Sequence, residues 1–222
     1  LRRDAVTVVG ATVLFLVLAG VGVLTWQAGL LLLITLGAYL TLCYRTERGT
    51  AASPAAAVHE AEAGALERYP HSLQRSLGAV LLGLILLIVG SRIVLAGAVG
   101  IAESLRISEA LIGLTLVAVG TSLPELTISL MAALRRQADV AVGNILGSNI
   151  FNVLGILGVA AIVQPLPVEG RIAGVDQWVM LAAAIALLLF LFTGRRLSRI
   201  EGAVLLSCYI GYVWASYVGL LG

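Results

Sequence analysis

The chain has 222 residues, of which 60% are hydrophobic, and its mean hydropathy is +1.05, far above that of soluble domains. Its formal net charge is only +2, and its basic residues, all arginine, form no cluster of the kind that binds nucleic acid, so we exclude a nucleic-acid partner. The isolated cysteines and histidines have no metal-ligand spacing, and no nucleophile lies beside a base, so the sequence predicts neither a cofactor site nor an enzyme.

Seven apolar segments are long enough to cross a bilayer as helices, which takes about 20 residues each. They cover residues 5–22, 24–44, 74–99, 107–134, 139–163, 173–193 and 199–220. The long connection between the second and third segments, residues 45–73, is rich in Ala, Glu and Arg and predicts a linker between a two-span piece and a five-span piece. The pattern predicts an all-α polytopic membrane protein.

The arginines indicate how these spans are oriented. Most of them lie in connections that fall on one side of the membrane if seven spans are correct: Arg2, Arg3, Arg45, Arg48, Arg68, Arg75, Arg135, Arg136, Arg195, Arg196 and Arg199. The positive-inside rule then places residue 1 in the cytoplasm and the C-terminus outside, and we expect a prokaryotic plasma (inner) membrane. Arg92 lies inside the third segment, where snorkelling to the interface and a gating role both remain open.

Deep inside the fourth segment, Glu125 is the only carboxylate of a long apolar stretch, residues 110–134. A charge at that depth costs at least a few kcal/mol, so such residues usually serve a transport path or a ligand site. Gly120 and Pro124 weaken the helix around the hydroxyl residues Thr121 and Ser122. A carboxylate, hydroxyls and freed carbonyls together form an all-oxygen environment, which suits a hard cation such as Ca²⁺ or Na⁺.

The fifth segment carries a polar stripe. Asn144, Ser148 and Asn152 are spaced four apart and therefore share one helix face. Gly143 and Gly147 precede two of them and predict a surface that another helix approaches closely, so that the polar face presses against the broken helix. Each feature alone also fits ordinary helix packing, but their combination with the lone carboxylate favours an ion site.

These two motifs, Gly120-Thr-Ser-Leu-Pro-Glu125 and Gly143-Asn-Ile-Leu-Gly-Ser-Asn-Ile-Phe-Asn152, resemble the second α-repeat of the cation/calcium exchangers, the sodium/calcium exchanger family. The resemblance implies an inverted-repeat exchanger fold, with about seven transmembrane helices present of an expected ten in two five-span repeats. Residues 74–222 would form the second repeat, residues 1–44 the last two spans of the first, and residues 45–73 a cytoplasmic linker. The first α-repeat would be missing, in agreement with a chain that begins at Leu instead of Met.

The resemblance also implies a set of site residues that supply oxygen ligands or support them: Ala118, Thr121, Ser122, Glu125, Asn144, Ser148 and Asn152. Glu125 would be the carboxylate ligand for Ca²⁺ and, in exchange, for Na⁺, and Asn144 would brace the broken backbone. Some family members carry Asp where this chain has Asn152. An amide can ligate a cation but can neither neutralise charge nor release a proton, so the ion stoichiometry stays open.

We therefore expect Ca²⁺ antiport against Na⁺ by alternating access, with the third segment as a sliding gate helix. A Ca²⁺/H⁺ antiporter of the same fold is an alternative, because Glu125 can serve either coupling ion. A non-transporting membrane subunit or half-protein is another, supported by the single motif copy, and a channel is weaker because no filter repeat is evident. The expected partners are the lipid bilayer, the transported ions, and a missing N-terminal repeat or partner chain that covers Glu125.

Overall fold

The computed structural model of the protein describes residues 1–48, 73–104, 118–194 and 197–218. The helices, in chain order, are α1 (Arg2–Ala19), α2 (Trp26–Arg48), α3 (Leu73–Ser104), α4 (Ala118–Thr121), α5 (Leu123–Leu134), α6 (Ala138–Ile150), α7 (Leu157–Val163), α8 (Gln177–Gly194) and α9 (Arg199–Tyr217). Two π-helical turns, Phe151–Ile156 and Ile172–Asp176, connect α6 to α7 and lead into α8. The mostly helical chain confirms the predicted all-α membrane fold.

Among the described residues, four helical stretches have the length and composition to cross a membrane: Trp26–Thr46, Leu77–Ala102, Ala138–Val163 and Ile172–Phe192. Helices α1 and α9 coincide with two more predicted spans. Helices α4 and α5 together form the described part of the fourth predicted span. Most of the predicted linker, residues 49–72, and the start of the fourth span, residues 107–117, lie outside the described residues.

A two-stranded antiparallel sheet joins two connections at one end of the helices. Strand β1 (Val23–Leu24) follows α1 and pairs with β2 (Leu166–Pro167), which follows α7. The turn before β1 needs a glycine, because Gly22 has a φ of 84° and its carbonyl accepts a hydrogen bond from Val168 N at 2.8 Å. The sheet therefore ties the α1–α2 hairpin to the later half of the chain.

The buried core lies between this hairpin and the helices from α6 to α8. Helix α1 packs against α6 and α8, while α2 packs along α7 and the π-helical turn before it. Leu32, Leu146, Ile150 and Leu154 are buried together in one cluster drawn from both parts of the chain. The hairpin and the later helices thus exclude lipid and solvent from a shared interior.

Helix α3 packs more loosely, and its contacts are with α4 and α5. Gly120 in α4 is buried against it, since a Cβ at this position would lie 2.7 Å from Cδ1 of Leu95. The glycine that the sequence marks as a helix breaker therefore also permits a close approach. Arg92 is exposed on α3 and lines no part of the cleft described below.

Candidate cation site

The predicted break in the fourth span lies where α4 gives way to α5. Helix α4 ends at Thr121, Ser122 has non-helical φ and ψ of −90° and 0°, and α5 begins at Leu123. Pro124 falls in the first turn of α5, where its missing N–H removes no helical hydrogen bond. Glu125 occupies the same turn, and the positive end of the helix dipole favours a carboxylate there.

A polar cleft of about 230 Å³ opens between α5 and the facing surface of α6 and its π-helical turn. Its lining residues are Ser122, Glu125, Leu126 and Ser129 on the first side and Ile145, Ser148, Asn149 and Asn152 on the other. Four of them, Ser122, Glu125, Ser148 and Asn152, belong to the predicted site set. Side chains that carry hydroxyl, amide and carboxylate oxygens thus line one cleft, and oxygen ligands are those that a hard cation prefers.

Glu125 is the ionisable residue among those that line this cleft. Its side chain is half-buried, and its Oε2 atom is buried without a hydrogen-bond partner among the described residues. A buried carboxylate oxygen with no donor is costly, unless a counter-charge or further ligand is supplied. Serine hydroxyls and asparagine amides can contribute oxygen ligands, but they cannot neutralise the carboxylate.

Asn144 lies directly behind the cleft and joins α6 to α5. Its Nδ2 donates one hydrogen bond to the main-chain carbonyl of Glu125 at 3.1 Å and another to Ser129 Oγ at 3.0 Å. Ser129 is buried, so this bond satisfies a hydroxyl that has little access to solvent. The amide therefore holds the first turns of α5 in register with α6 while the Glu125 side chain faces the cleft.

Thr121 is not among the described residues that line the cleft, because it lies at the end of α4, before the break. The side chain of Ala118 is outside the description, and Thr121 is exposed. Two polar lining residues, Ser129 and Asn149, are absent from the predicted set. Ser129 follows Glu125 by four residues and so shares its helix face. This spacing could have added Ser129 to the predicted set.

The fifth predicted span is not one uniform α-helix. The π-helical turn Phe151–Ile156 interrupts it and carries Asn152, which still lines the cleft. A π-helical turn widens the helix by one residue, so the four-residue spacing from Ser148 to Asn152 no longer sets their relative direction alone. Such turns are frequent at functional sites, and this one begins where the polar stripe meets the cleft.

The predicted close helix approach at Gly143 and Gly147 is wrong for the described part of the chain. A Cβ at Gly143 would meet only Cδ2 of Leu1, at 3.8 Å, and one at Gly147 would meet no described atom within 4 Å. Each glycine is one residue, or about 100° of helix rotation, away from the polar stripe. The polar face, through Asn144, contacts α5 instead, and the glycines point elsewhere.

Comparison with known proteins relates these features to one family. The family model described as sodium/calcium exchanger protein matches residues 75–218. CaxA from Alkalimonas amylolytica is 49% identical over 136 residues, which cover 60% of this chain and 43% of CaxA. The sodium/calcium exchanger MaX1 from Methanosarcina acetivorans is 42% identical over 147 residues, which cover 66% of this chain and 42% of MaX1.

A solved structure of the sodium-calcium exchanger NCX_Mj, soaked with Na⁺ and Ca²⁺, is similar over most of the chain. The TM-score is 0.73 at 31% sequence identity, and the match covers 96% of this chain and 65% of NCX_Mj. The chain therefore spans less than half the length of the two curated relatives and less than two thirds of the solved exchanger.

Proposed function

Because this chain belongs to the sodium/calcium exchanger family, we propose that it is part of an antiporter that exchanges Ca²⁺ for Na⁺ across a membrane. In this proposal, the cleft at Glu125 is one half of the cation site. The observation that carries it is the buried, unpartnered Oε2 of Glu125, a residue that lines a cleft together with serine and asparagine side chains. A bound cation would supply the counter-charge that the described residues lack.

The proposed ligands surround the break in the fourth span. Glu125 supplies the carboxylate, and the further donors are Ser122, Ser148, Asn152 and, from α4, the carbonyl of Ala118 and the oxygens of Thr121. Ca²⁺ takes six to eight oxygen ligands, usually with more than one carboxylate. Inverted-repeat transporters complete such a site from their other repeat, so we expect a second carboxylate to come from residues beyond this chain.

Exchange follows from charge balance in this proposal. The fixed negative charge at the site can be neutralised by one Ca²⁺ or by Na⁺ ions, but not by both loads together. An uncompensated carboxylate in the middle of the bilayer is unfavourable, so the transporter changes access only when loaded. Asn152 contributes no charge, which leaves Glu125 as the residue of this half that sets the balance.

The same proposal assigns the other segments of the chain. Residues 74–222 form the second repeat, residues 1–44 the last two spans of the first, and residues 45–73 a cytoplasmic linker. Helix α3 is the gate helix, and its Leu95 meets the break at Gly120. The protein lies in a prokaryotic plasma (inner) membrane with its C-terminus outside.

The test is Ca²⁺ flux by the full-length protein reconstituted in vesicles. With an imposed Na⁺ gradient, the wild type is expected to accumulate radioactive Ca²⁺, and Glu125→Gln is expected to lose the flux at least tenfold. The amide keeps the shape of the side chain but cannot neutralise a cation. Glu169→Gln is the matched control, because Glu169 is an exposed carboxylate in the connection after β2 and should retain wild-type flux.

Comparing gradients separates this proposal from its alternatives. Uptake driven by a pH gradient but not by Na⁺ would identify a Ca²⁺/H⁺ antiporter that uses the same carboxylate. Absence of flux under both gradients, in protein shown to be inserted, would favour a non-transporting subunit. Wild-type flux in Glu125→Gln would remove Glu125 from the site.

A further inference from the structure

A second cleft of about 370 Å³ lies at the other end of α5 and takes no part in the cation site. Its walls are mostly apolar and include Leu87 of α3, Ile128 and Met131 of α5, and Val140 of α6. Arg135 lies at its mouth, just beyond the end of α5. We call this cleft the α5 groove.

The α5 groove has the length and polarity gradient of a lipid leaflet. Thr127, Met131 and Arg135 are spaced four apart and form one row, which extends over about 12 Å at a helical rise of about 1.5 Å per residue. The row starts at Thr127 within α5 and ends at the guanidinium of Arg135, just beyond the end of the helix. Met131 is 46% exposed, so an apolar ligand could cover it.

The turn after α5 contains two successive arginines, Arg135, which lines the groove, and Arg136. Gln137 N donates to Ala132 O at 2.9 Å and Arg136 N to Ala133 O at 3.0 Å, the paired bonds of a Schellman motif. Arg136 has a φ of 63° at the position that glycine usually occupies, which costs about 1 kcal/mol for another residue.

Both arginines are available to a ligand. Arg135 and Arg136 are exposed, and neither forms an ion pair with a carboxylate of the described chain. Asp139, on the first turn of α6, is the acidic residue closest to them in the sequence, and it is exposed as well. Arg135 therefore contributes a positive charge to a mostly apolar groove, and Arg136 adds a second one beside it in the chain.

We propose that the α5 groove binds an anionic phospholipid, with an acyl chain along Met131 and Ile128 and the phosphate at Arg135 and Arg136. Basic residues at the surface end of membrane helices attract anionic headgroups. The apolar floor favours a lipid over a free phosphate ion, and the positive mouth favours an anionic over a zwitterionic headgroup. This inference requires the protein to lie in a membrane but does not depend on which ions it exchanges.

Native mass spectrometry of the purified full-length protein tests the headgroup contact. Titration with phosphatidylglycerol is expected to give a bound lipid, and phosphatidylcholine at the same concentration is expected to bind more weakly. Arg135→Gln and Arg136→Gly should each weaken phosphatidylglycerol binding about fivefold. Glycine suits the backbone at position 136, so a loss there does not come from misfolding. Arg45→Gln, at the exposed end of α2, is the control that should bind as the wild type does.

The acyl-chain contact has its own pair of variants. Met131→Trp should fill the α5 groove and reduce the bound lipid, while Leu134→Trp, at a more exposed residue that is not part of the groove, should not. Equal binding of the two lipids, or equal effects of Arg135→Gln and Arg45→Gln, would overturn the proposal. Displacement of the lipid by millimolar inorganic phosphate would also overturn it, in favour of a simple anion site. No ion gradient is used, so failure of Ca²⁺ exchange leaves these outcomes unchanged.

Discussion

Glu125 is held through its backbone and not through its Oε2 atom. Its main-chain carbonyl accepts a hydrogen bond from the Asn144 amide, whereas Oε2 is buried without a described donor. A bracing bond at the backbone fixes the position of the carboxylate without using its oxygens. The side chain therefore stays available for a cation, and Asn144 acts as a positioning residue in the proposed site.

Asn144→Ala is expected to destabilise the protein by about 1–3 kcal/mol, because it removes two hydrogen bonds and leaves the buried Ser129 hydroxyl without its donor. The measurement is unfolding in detergent without Ca²⁺. Asn149→Ala is the control, since the Asn149 amide donates to Ile145 O of its own helix, and its effect should be smaller. Equal losses in the two variants would contradict the bracing role.

Close contacts between elements occur at glycines, but not at the pair that the sequence favours. At the crossing of α2 and α7, a Cβ on Gly29 would lie 2.5 Å from the carbonyl oxygen of Gly158. Gly143 and Gly147 have the familiar spacing but no such neighbour in the described structure. A small side chain permits a close approach without requiring one, so spacing alone does not identify the contact.

Gly29→Ala is expected to lower stability by about 1–3 kcal/mol, because the clash is with backbone and α7 would have to move. Gly37→Ala lies on the same helix with no described atom within 4 Å, so it should be neutral or stabilise by up to about 1 kcal/mol. Thermal unfolding of both variants in the same detergent checks the comparison. A Gly29→Ala protein as stable as Gly37→Ala would mean that the helices do not cross this closely.

Across the whole molecule, the last helix is attached through a polar cluster around the connection that precedes α8. Arg171 Nε donates to Asp176 Oδ1 at 2.9 Å, and the Tyr212 hydroxyl donates to the same oxygen at 2.8 Å. Arg171 also donates to Ser216 Oγ, and its guanidinium lies 5.5 Å from the centre of the Tyr212 ring. Charged hydrogen bonds in a half-buried setting hold α9 to this connection more firmly than exposed ion pairs would.

Tyr212→Phe should loosen α9 because it removes the hydrogen bond to Asp176 while keeping the ring. A hydrogen bond to a charged group contributes about 1.5–3 kcal/mol, so hydrogen exchange of the α9 amides should rise on the order of tenfold or more. Tyr209→Phe, at an exposed tyrosine on the same helix, should leave exchange unchanged. Equal protection in both variants would show that α9 is held by other contacts.

The sequence alone predicted the segments that form helices, a break between Gly120 and Pro124, and the carboxylate beside it. These features are local. Apolar length predicts a span, and glycine, proline and a lone charge within it can be recognised without knowing how the helix packs. The four-residue spacing also predicted that Ser148 and Asn152 lie on the side of the helix that carries Asn144. The family motifs then named four of the eight described residues that line the cleft.

Only the tertiary structure decided which helix faces meet. It brought Ser129 and Asn149 into the cleft, turned Asn144 towards the Glu125 carbonyl, and left Gly147 without a close neighbour among the described residues. Each residue rotates a helix by about 100°, so a pattern along one helix defines its faces but not the partner of each face. The partner depends on the rotation and register of whole helices, which are determined by packing between segments far apart in the chain.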